Sequence, residues 1–69
     1  MDNHIYKTIE LTGTSANSIE EAVNRALARA SNSIDNMRWF TVKEVRGQVK
    51  EGACTEWQVT IKASFTIKE

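Results

Sequence analysis

Twelve consecutive residues near the end of the chain alternate without exception between apolar and polar side chains. The apolar set is Trp57, Val59, Ile61, Ala63, Phe65 and Ile67, and the polar set is Gln58, Thr60, Lys62, Ser64, Thr66 and Lys68. Because successive side chains of a β-strand point to opposite faces, the pattern predicts a two-faced strand over residues 55–68. Its apolar face needs another layer of structure packed against it.

A first strand is predicted over residues 4–11. Ile5, Ile9 and Leu11 share one parity, and Lys7 interrupts this apolar side, which favours a position at the edge of the sheet. Residues 13–15 (GTS) are interpreted as the turn that ends this strand.

A second strand is predicted over residues 38–50, joined to the last strand around residues 51–52. Phe40 and Val42 lie on one parity, whereas Val45 and Val49 lie on the other. A change of parity within a strand indicates an extra residue, so we expect a bulge near residues 43–44.

A helix is predicted between the first two strands. Ser18, followed three residues later by Glu21, matches a capping box. The helix is expected to end near residues 35–36, with Asn36 as a cap. One narrow apolar stripe recurs at helical spacing: Ile19, Ala22, Val23, Ala26, Leu27, Ala30 and Ile34. The order β-α-β-β predicts a single α+β domain over residues 1–69, a three-stranded antiparallel sheet wrapped around one helix.

The small size of the chain predicts self-association. A domain of 69 residues buries only about 60% of the surface that its unfolded chain exposes, so its own core is marginal. Cys54 is the single cysteine, which excludes an internal disulfide, and its separation from His4 argues against a structural metal. Oligomerisation is the remaining means of stabilisation.

Charge and hydropathy argue against nucleic acid and membranes as partners and indicate a cellular location. Nine basic residues balance nine acidic ones, so no net field favours nucleic acid or an anionic membrane. No apolar run is long enough to span a bilayer, and the first residues do not resemble a secretion signal. A lone thiol fits a reducing compartment. The cytoplasm is therefore the expected location.

Trp39 is the first candidate for a binding residue. If Phe40 and Val42 face the helix, Trp39 and Gln58 share the opposite face of the sheet. An exposed indole beside an amide indicates that another subunit, a planar ligand or both cover it. The alternative is a strand start displaced by one residue, which makes Trp39 ordinary core. Trp57 lies on the apolar parity and is interpreted as core or subunit interface.

The sequence offers little support for catalysis. Its one histidine and one cysteine lie in distant segments, with no carboxylate placed beside either by local spacing. The pair Glu20 and Glu21 is explained by helix capping. Arg46 beside the mid-strand Gly47 indicates a bulge or a close approach of backbone or ligand, and this arginine is a candidate for a phosphate contact or for an interface ion pair. A non-enzymatic protein is predicted.

Six segments resemble bacterial dodecins in order and spacing, over about residues 3–68. They are 4–7 (HIYK), 10–15 (ELTGTS), 26–30 (ALARA), 38–40 (RWF), 45–47 (VRG) and 57–60 (WQVT). The resemblance implies a hollow shell of twelve identical subunits that binds flavin for storage and photoprotection. It also implies that pairs of stacked flavins lie between tryptophans of neighbouring subunits.

The resemblance further implies roles for individual residues. Trp39 is expected to stack on the isoalloxazine ring, and Gln58 to hydrogen-bond its polar edge. Arg46 is expected near the ribityl phosphate, which favours FMN. The region of Arg29, Ser33 and Arg38 is similar to the part where some members bind coenzyme A.

Three departures from the family pattern affect these expectations. Thr66 stands where many FMN-binding members have arginine, so riboflavin or looser FMN binding is expected, while Ser64 replaces a common glycine and Trp57 a smaller aromatic residue. One alternative function is an oligomeric scaffold that binds coenzyme A or another nucleotide, with incidental flavin binding. Another is a flavoenzyme, disfavoured because flavins closed between tryptophans leave little room for a substrate.

Overall fold

The computed structural model describes residues 4–67 and contains four elements. They are β1 (Tyr6–Ser15), α1 (Ile19–Ala30), β2 (Met37–Lys50) and β3 (Ala53–Thr66). The strands form one antiparallel sheet in the order β1-β3-β2, which confirms the predicted β-α-β-β arrangement. Lys68, the predicted end of the last strand, lies outside the described residues.

β1 continues beyond the predicted turn, so the prediction for residues 13–15 was wrong. Gly13, Thr14 and Ser15 pair in regular register with β3. A side chain at Gly13 would clash with the backbone carbonyl of Ala22 and lie 3.0 Å from the Cβ of Ala26. The glycine is therefore required for close contact between β1 and α1, and not for a change of chain direction.

α1 begins as predicted but ends earlier. The Ser18 side chain accepts a hydrogen bond from the backbone N–H of Glu21 at 3.0 Å. The predicted end near residues 35–36 was wrong, because the helix stops at Ala30 and Ser31 caps it. Residues 31–36 (SNSIDN) are rich in side chains that compete for backbone hydrogen bonds, and Ser31 Oγ donates to the Ala28 carbonyl. Asn36 instead adopts a left-handed conformation, φ 65°, just before β2.

The core lies between α1 and the strands β1 and β3. It consists of Ala22, Val23, Val59 and Ile61, with Leu11, Ala26 and Leu27 packed against them. α1 has 12 residues, and no helix within residues 4–67 is long and apolar enough to cross a membrane.

β2 is left uncovered on the face that α1 shields elsewhere. The predicted bulge is confirmed by a register shift between Val42 and Glu44. The apolar side chains that face the helix side of β2 remain 42–71% exposed; they are Phe40, Val42, Val45 and Val49. One protomer therefore exposes a continuous apolar strip along one edge of its sheet.

The protomer is elongated. Lys50 pairs with Ala53 across a two-residue turn at Glu51 and Gly52, both with positive φ, as a tight hairpin requires. The β2–β3 hairpin extends beyond the helix, and the described chain measures 55 × 20 × 13 Å. Its radius of gyration is 14.4 Å, whereas a compact domain of this length has about 11 Å.

Candidate functional site

Trp39 lies on the outer face of the sheet, which we define as the face opposite α1. It pairs with Ser64, while the next residue, Phe40, pairs with the buried Ala63 of the helix side. The indole is 49% exposed. The predicted outward orientation is therefore confirmed, and the alternative of a core tryptophan was wrong.

Trp39 makes an edge-to-face contact with Tyr6. Their ring centroids lie 4.7 Å apart at an interplanar angle of 60°. Because β3 separates β1 from β2, the two rings meet only by reaching across Ser64, which is 3% exposed although it lies on the outer face. Ser64 and Thr8 are joined by a 2.8 Å hydroxyl hydrogen bond, so a small satisfied side chain forms the floor beneath the rings. We call Tyr6 and Trp39 the aromatic platform.

Arg38 lies at the edge of the aromatic platform. The register of β2 shifts between Met37 and Trp39, which makes Arg38 the extra residue of a bulge. Arg38 Nε donates to Thr66 Oγ1 at 3.0 Å, and Thr66 is paired with Tyr6 on β1. The bulge thus lets two consecutive residues, Arg38 and Trp39, contact the outer face, which a regular strand does not permit.

Arg46 and Gln58 form a second polar group on the outer face. They are partners in the β2–β3 register, and Arg46 Nε donates to Gln58 Oε1 at 2.6 Å. Gln58 Nε2 in turn donates to Glu56 Oε1 at 3.0 Å. A Cβ at Gly47 would lie 3.1 Å from the side-chain Sγ of Cys54 and 3.4 Å from the backbone carbonyl oxygen of Glu56, so β2 and β3 are closely packed here.

The two groups are far apart within one chain. Trp39 pairs with Ser64, and Arg46 pairs with Gln58, so their partners are six positions apart along β3. At about 3.4 Å per residue, the separation is roughly 20 Å. The structure therefore confirms the shared face of Trp39 and Gln58 but does not place them side by side.

The remaining predicted residues divide between two places. Arg29 and Ser33 line a groove of about 340 Å³ beside the end of α1. A neighbouring groove of about 530 Å³ is lined by Arg25 and Arg29. Arg38 lines neither of these grooves but a third one, of about 170 Å³, together with Leu27, Met37, Trp39 and Phe40. No one of the three grooves is lined by Arg29, Ser33 and Arg38 together.

A polar network fixes the start of α1, away from the aromatic platform. Ser15 Oγ donates to the Glu21 carboxylate, and Asn17 Nδ2 donates to the same oxygen at 2.9 Å. These hydrogen bonds, from Ser15 first and Asn17 second, lower the pKa of Glu21 below its usual value, with a further contribution from Arg25. Within residues 4–67 no group of three or more His, Cys, Asp or Glu side chains is placed to hold a metal ion.

The sequence did not predict the contact of Tyr6 with Trp39 or the hydrogen bond from Arg38 to Thr66. The alternation of β1 places Tyr6 on the polar face of the strand, and this could be seen in the sequence. Its contact with Trp39 depends on the strand order β1-β3-β2 and on the small Ser64 between them. Neither the strand order nor the bulge at Arg38 can be recognised from the spacing of neighbouring residues in the sequence.

The fold and this site define a class of protein. A single helix covers two strands, apolar side chains remain exposed on both faces of the sheet, and the protomer is elongated. Such a chain is built as a subunit of an oligomer, in which neighbours cover what the protomer leaves open.

Comparison with known proteins identifies the family. A family model described as Dodecin matches residues 5–68. The dodecin of Thermus thermophilus is 42% identical over 65 residues, 94% of each chain. The solved dodecin of Streptomyces davaonensis superposes with a TM-score of 0.92 at 40% identity, covering 99% of this chain and all of that one. The chain belongs to the dodecin family.

A more distant relative is named for calcium. A protein of Mycobacterium tuberculosis named calcium dodecin is 31% identical, over 93% of this chain and 90% of its own. Its solved structure, described as having a novel calcium-binding site, superposes with a TM-score of 0.81.

Proposed function

We propose that the protein is a non-enzymatic flavin store, which binds FMN or riboflavin against Trp39 and protects it from photochemistry. The supporting observation is the half-exposed indole of Trp39 on the outer face, held edge-on by Tyr6. An isoalloxazine ring stacked on this indole would bury a large apolar surface, with about 0.5–1.5 kcal/mol from ring stacking beyond the area term.

The separation of Trp39 and Gln58 makes this a site between subunits. The roughly 20 Å between them is too long for one isoalloxazine ring to contact both in the same chain. In our proposal the ring stacks on Trp39 of one protomer and is hydrogen-bonded by Gln58 of another, since an amide offers both a donor and an acceptor. The exposed strip of β2 supports assembly, which we propose is the twelve-subunit shell implied by the family.

Photoprotection follows from the same contact. An indole is a good electron donor, and close stacking lets it quench the excited flavin before the flavin reacts. Two flavins enclosed between tryptophans have no open face for a substrate. In this proposal the bound flavin is therefore stored and does not take part in catalytic turnover.

The test is a flavin titration of three proteins, followed by flavin fluorescence. Native protein and Trp57→Phe should bind riboflavin and quench it, because Trp57 lies on the helix side of β3. Trp39→Ala should weaken binding by about tenfold or more, which is the effect of losing about 1.4 kcal/mol. Equal affinity in Trp39→Ala and Trp57→Phe would contradict the proposal, provided that both variants retain the native mass.

Coenzyme A or a related nucleotide is a second candidate ligand. The observation that favours it is the pair of grooves beside α1, where Arg25 and Arg29 offer positive charge. In that case Arg29→Gln should weaken coenzyme A binding and leave flavin binding unchanged. Competition between the two ligands for one site would contradict separate sites.

A further inference from the structure

Arg38 presents free hydrogen-bond donors next to the aromatic platform. Its guanidinium has five N–H donors, and the Nε–H is bound to Thr66 Oγ1. Within residues 4–67, no carboxylate forms a salt bridge with Arg38. The bond to Thr66 fixes the plane of the group, so its terminal N–H groups are available in a preset orientation.

We propose that Arg38 binds the phosphate of a ligand stacked on Trp39, and that the protein therefore prefers FMN to riboflavin. This inference rests on the proposed function. A planar aromatic surface with a fixed guanidinium at its edge suits a planar ligand that bears an anionic substituent. Arginine is well suited to that task because its fork matches phosphate geometry.

Thr66 has a specific part in this arrangement. As a threonine it carries no charge, yet it accepts from Nε and holds Arg38 on the outer face. This end of the sheet is therefore not left without a cation, contrary to what the sequence alone indicates. The charge comes from the bulge of β2 instead of from β3.

Arg46 is the competing cation, but its local environment differs. Its Nε is occupied by Gln58, and Gln58 is also bonded to the carboxylate of Glu56. The nearby negative charge reduces the attraction of this group for phosphate. Where Gln58 of a neighbouring protomer contacts the ring, the Arg46 bonded to it comes close as well, so Arg46→Gln is the variant that separates the two cations.

The experiment compares FMN and riboflavin affinities for native protein, Arg38→Gln, Thr66→Val, Arg46→Gln and Arg29→Gln. Native protein should bind FMN more tightly than riboflavin. Arg38→Gln should weaken FMN binding by roughly tenfold, as expected for a lost charge-assisted hydrogen bond, and leave riboflavin affinity within about twofold. Thr66→Val should partly reduce the preference for FMN over riboflavin, because it removes the hydrogen bond that holds the Arg38 guanidinium in place. Arg29→Gln, remote in its groove, should behave as native.

Three results would overturn the inference. The first is an unchanged FMN preference in Arg38→Gln, and the second is loss of that preference in Arg46→Gln alone. The third is failure of native protein to bind either flavin, which would also overturn the proposed function. If Arg38→Gln does not assemble, the inference is tested instead with Thr66→Val and with the salt dependence of binding to native protein. Added salt should weaken FMN binding and leave riboflavin binding unchanged. An equal response of the two flavins to salt would contradict the inference.

Discussion

Ser64 determines whether Tyr6 and Trp39 can meet. It lies on the middle strand, between the two strands that carry the rings, and its hydroxyl is bonded to that of Thr8. A small side chain here leaves space for the rings, and its buried hydroxyl is satisfied.

A larger residue at position 64 should disturb both stability and the site. We expect Ser64→Leu to destabilise the fold by about 1–3 kcal/mol, since it overpacks a closed position. Ser64→Ala should cost only about 1 kcal/mol, for the lost hydrogen bond. Thermal unfolding and riboflavin titration of both variants test this. Full flavin affinity in Ser64→Leu would show that the Tyr6–Trp39 contact is not needed for binding.

Glu21 makes stability depend on pH. Its pKa is lowered in the folded state by hydrogen bonds from Ser15 and Asn17. The ionised form is therefore favoured by folding, so its contribution is present above the usual pKa of about 4.5 and is lost as pH falls through the folded value.

Glu21→Gln should be less stable than native protein at neutral pH and lose less stability on acidification. Urea unfolding at pH 7 and at about pH 3 measures both quantities. Glu20→Gln is a matched control, because Glu20 shares the first turn but lies outside the hydrogen-bonded network. Parallel pH profiles for native protein and Glu21→Gln would contradict this account.

At the scale of elements, the contact between α1 and β1 depends on Gly13. The backbone of β1 approaches the Ala22 carbonyl so closely that no side chain fits between them. Gly13→Ala should therefore separate the helix from the strand and lower stability by about 1–3 kcal/mol or more. Gly52→Ala is a useful comparison, because its cost comes only from the positive φ of 80°, and no atom lies within 4 Å of a Cβ added there. Equal melting temperatures for native protein and Gly13→Ala would contradict the close contact.

The predictability of each element follows from the range of the interactions that define it. The Ser18 cap, the alternation of β3 and the bulge near residues 43–44 are local patterns, and the structure confirms them. The end of α1 was missed because Ile34 continues the apolar spacing after the backbone has left the helix. Residues 13–15 were missed because a glycine that permits close packing has the same local appearance as a turn glycine.

The candidate site was less predictable than the fold. The outward direction of Trp39 follows from parity alone, and it was predicted. The reach of Tyr6 across β3, the bulge that directs Arg38 and the separation of Trp39 from Gln58 depend on strand order and register. Those are properties of the assembled sheet.

At the scale of the whole molecule, the apolar strip on β2 should be an interface between protomers. Val45 is 42% exposed on the helix side, where α1 does not reach. Val45→Lys should lower the native mass, because burial of an unpaired charge in the interface is costly. Asn24→Lys, on the exposed side of α1, should leave the mass unchanged. A full-size oligomer in Val45→Lys, measured by native mass spectrometry or light scattering, would contradict this interface.

The central claim is that Trp39 forms an aromatic surface for flavin. Trp57→Phe leaves Trp39 as the only tryptophan in the chain, so its indole emission reports on this position alone. We predict that added riboflavin quenches this emission in a saturable way, in a particle of native mass. An emission that stays constant as riboflavin is added would contradict the account.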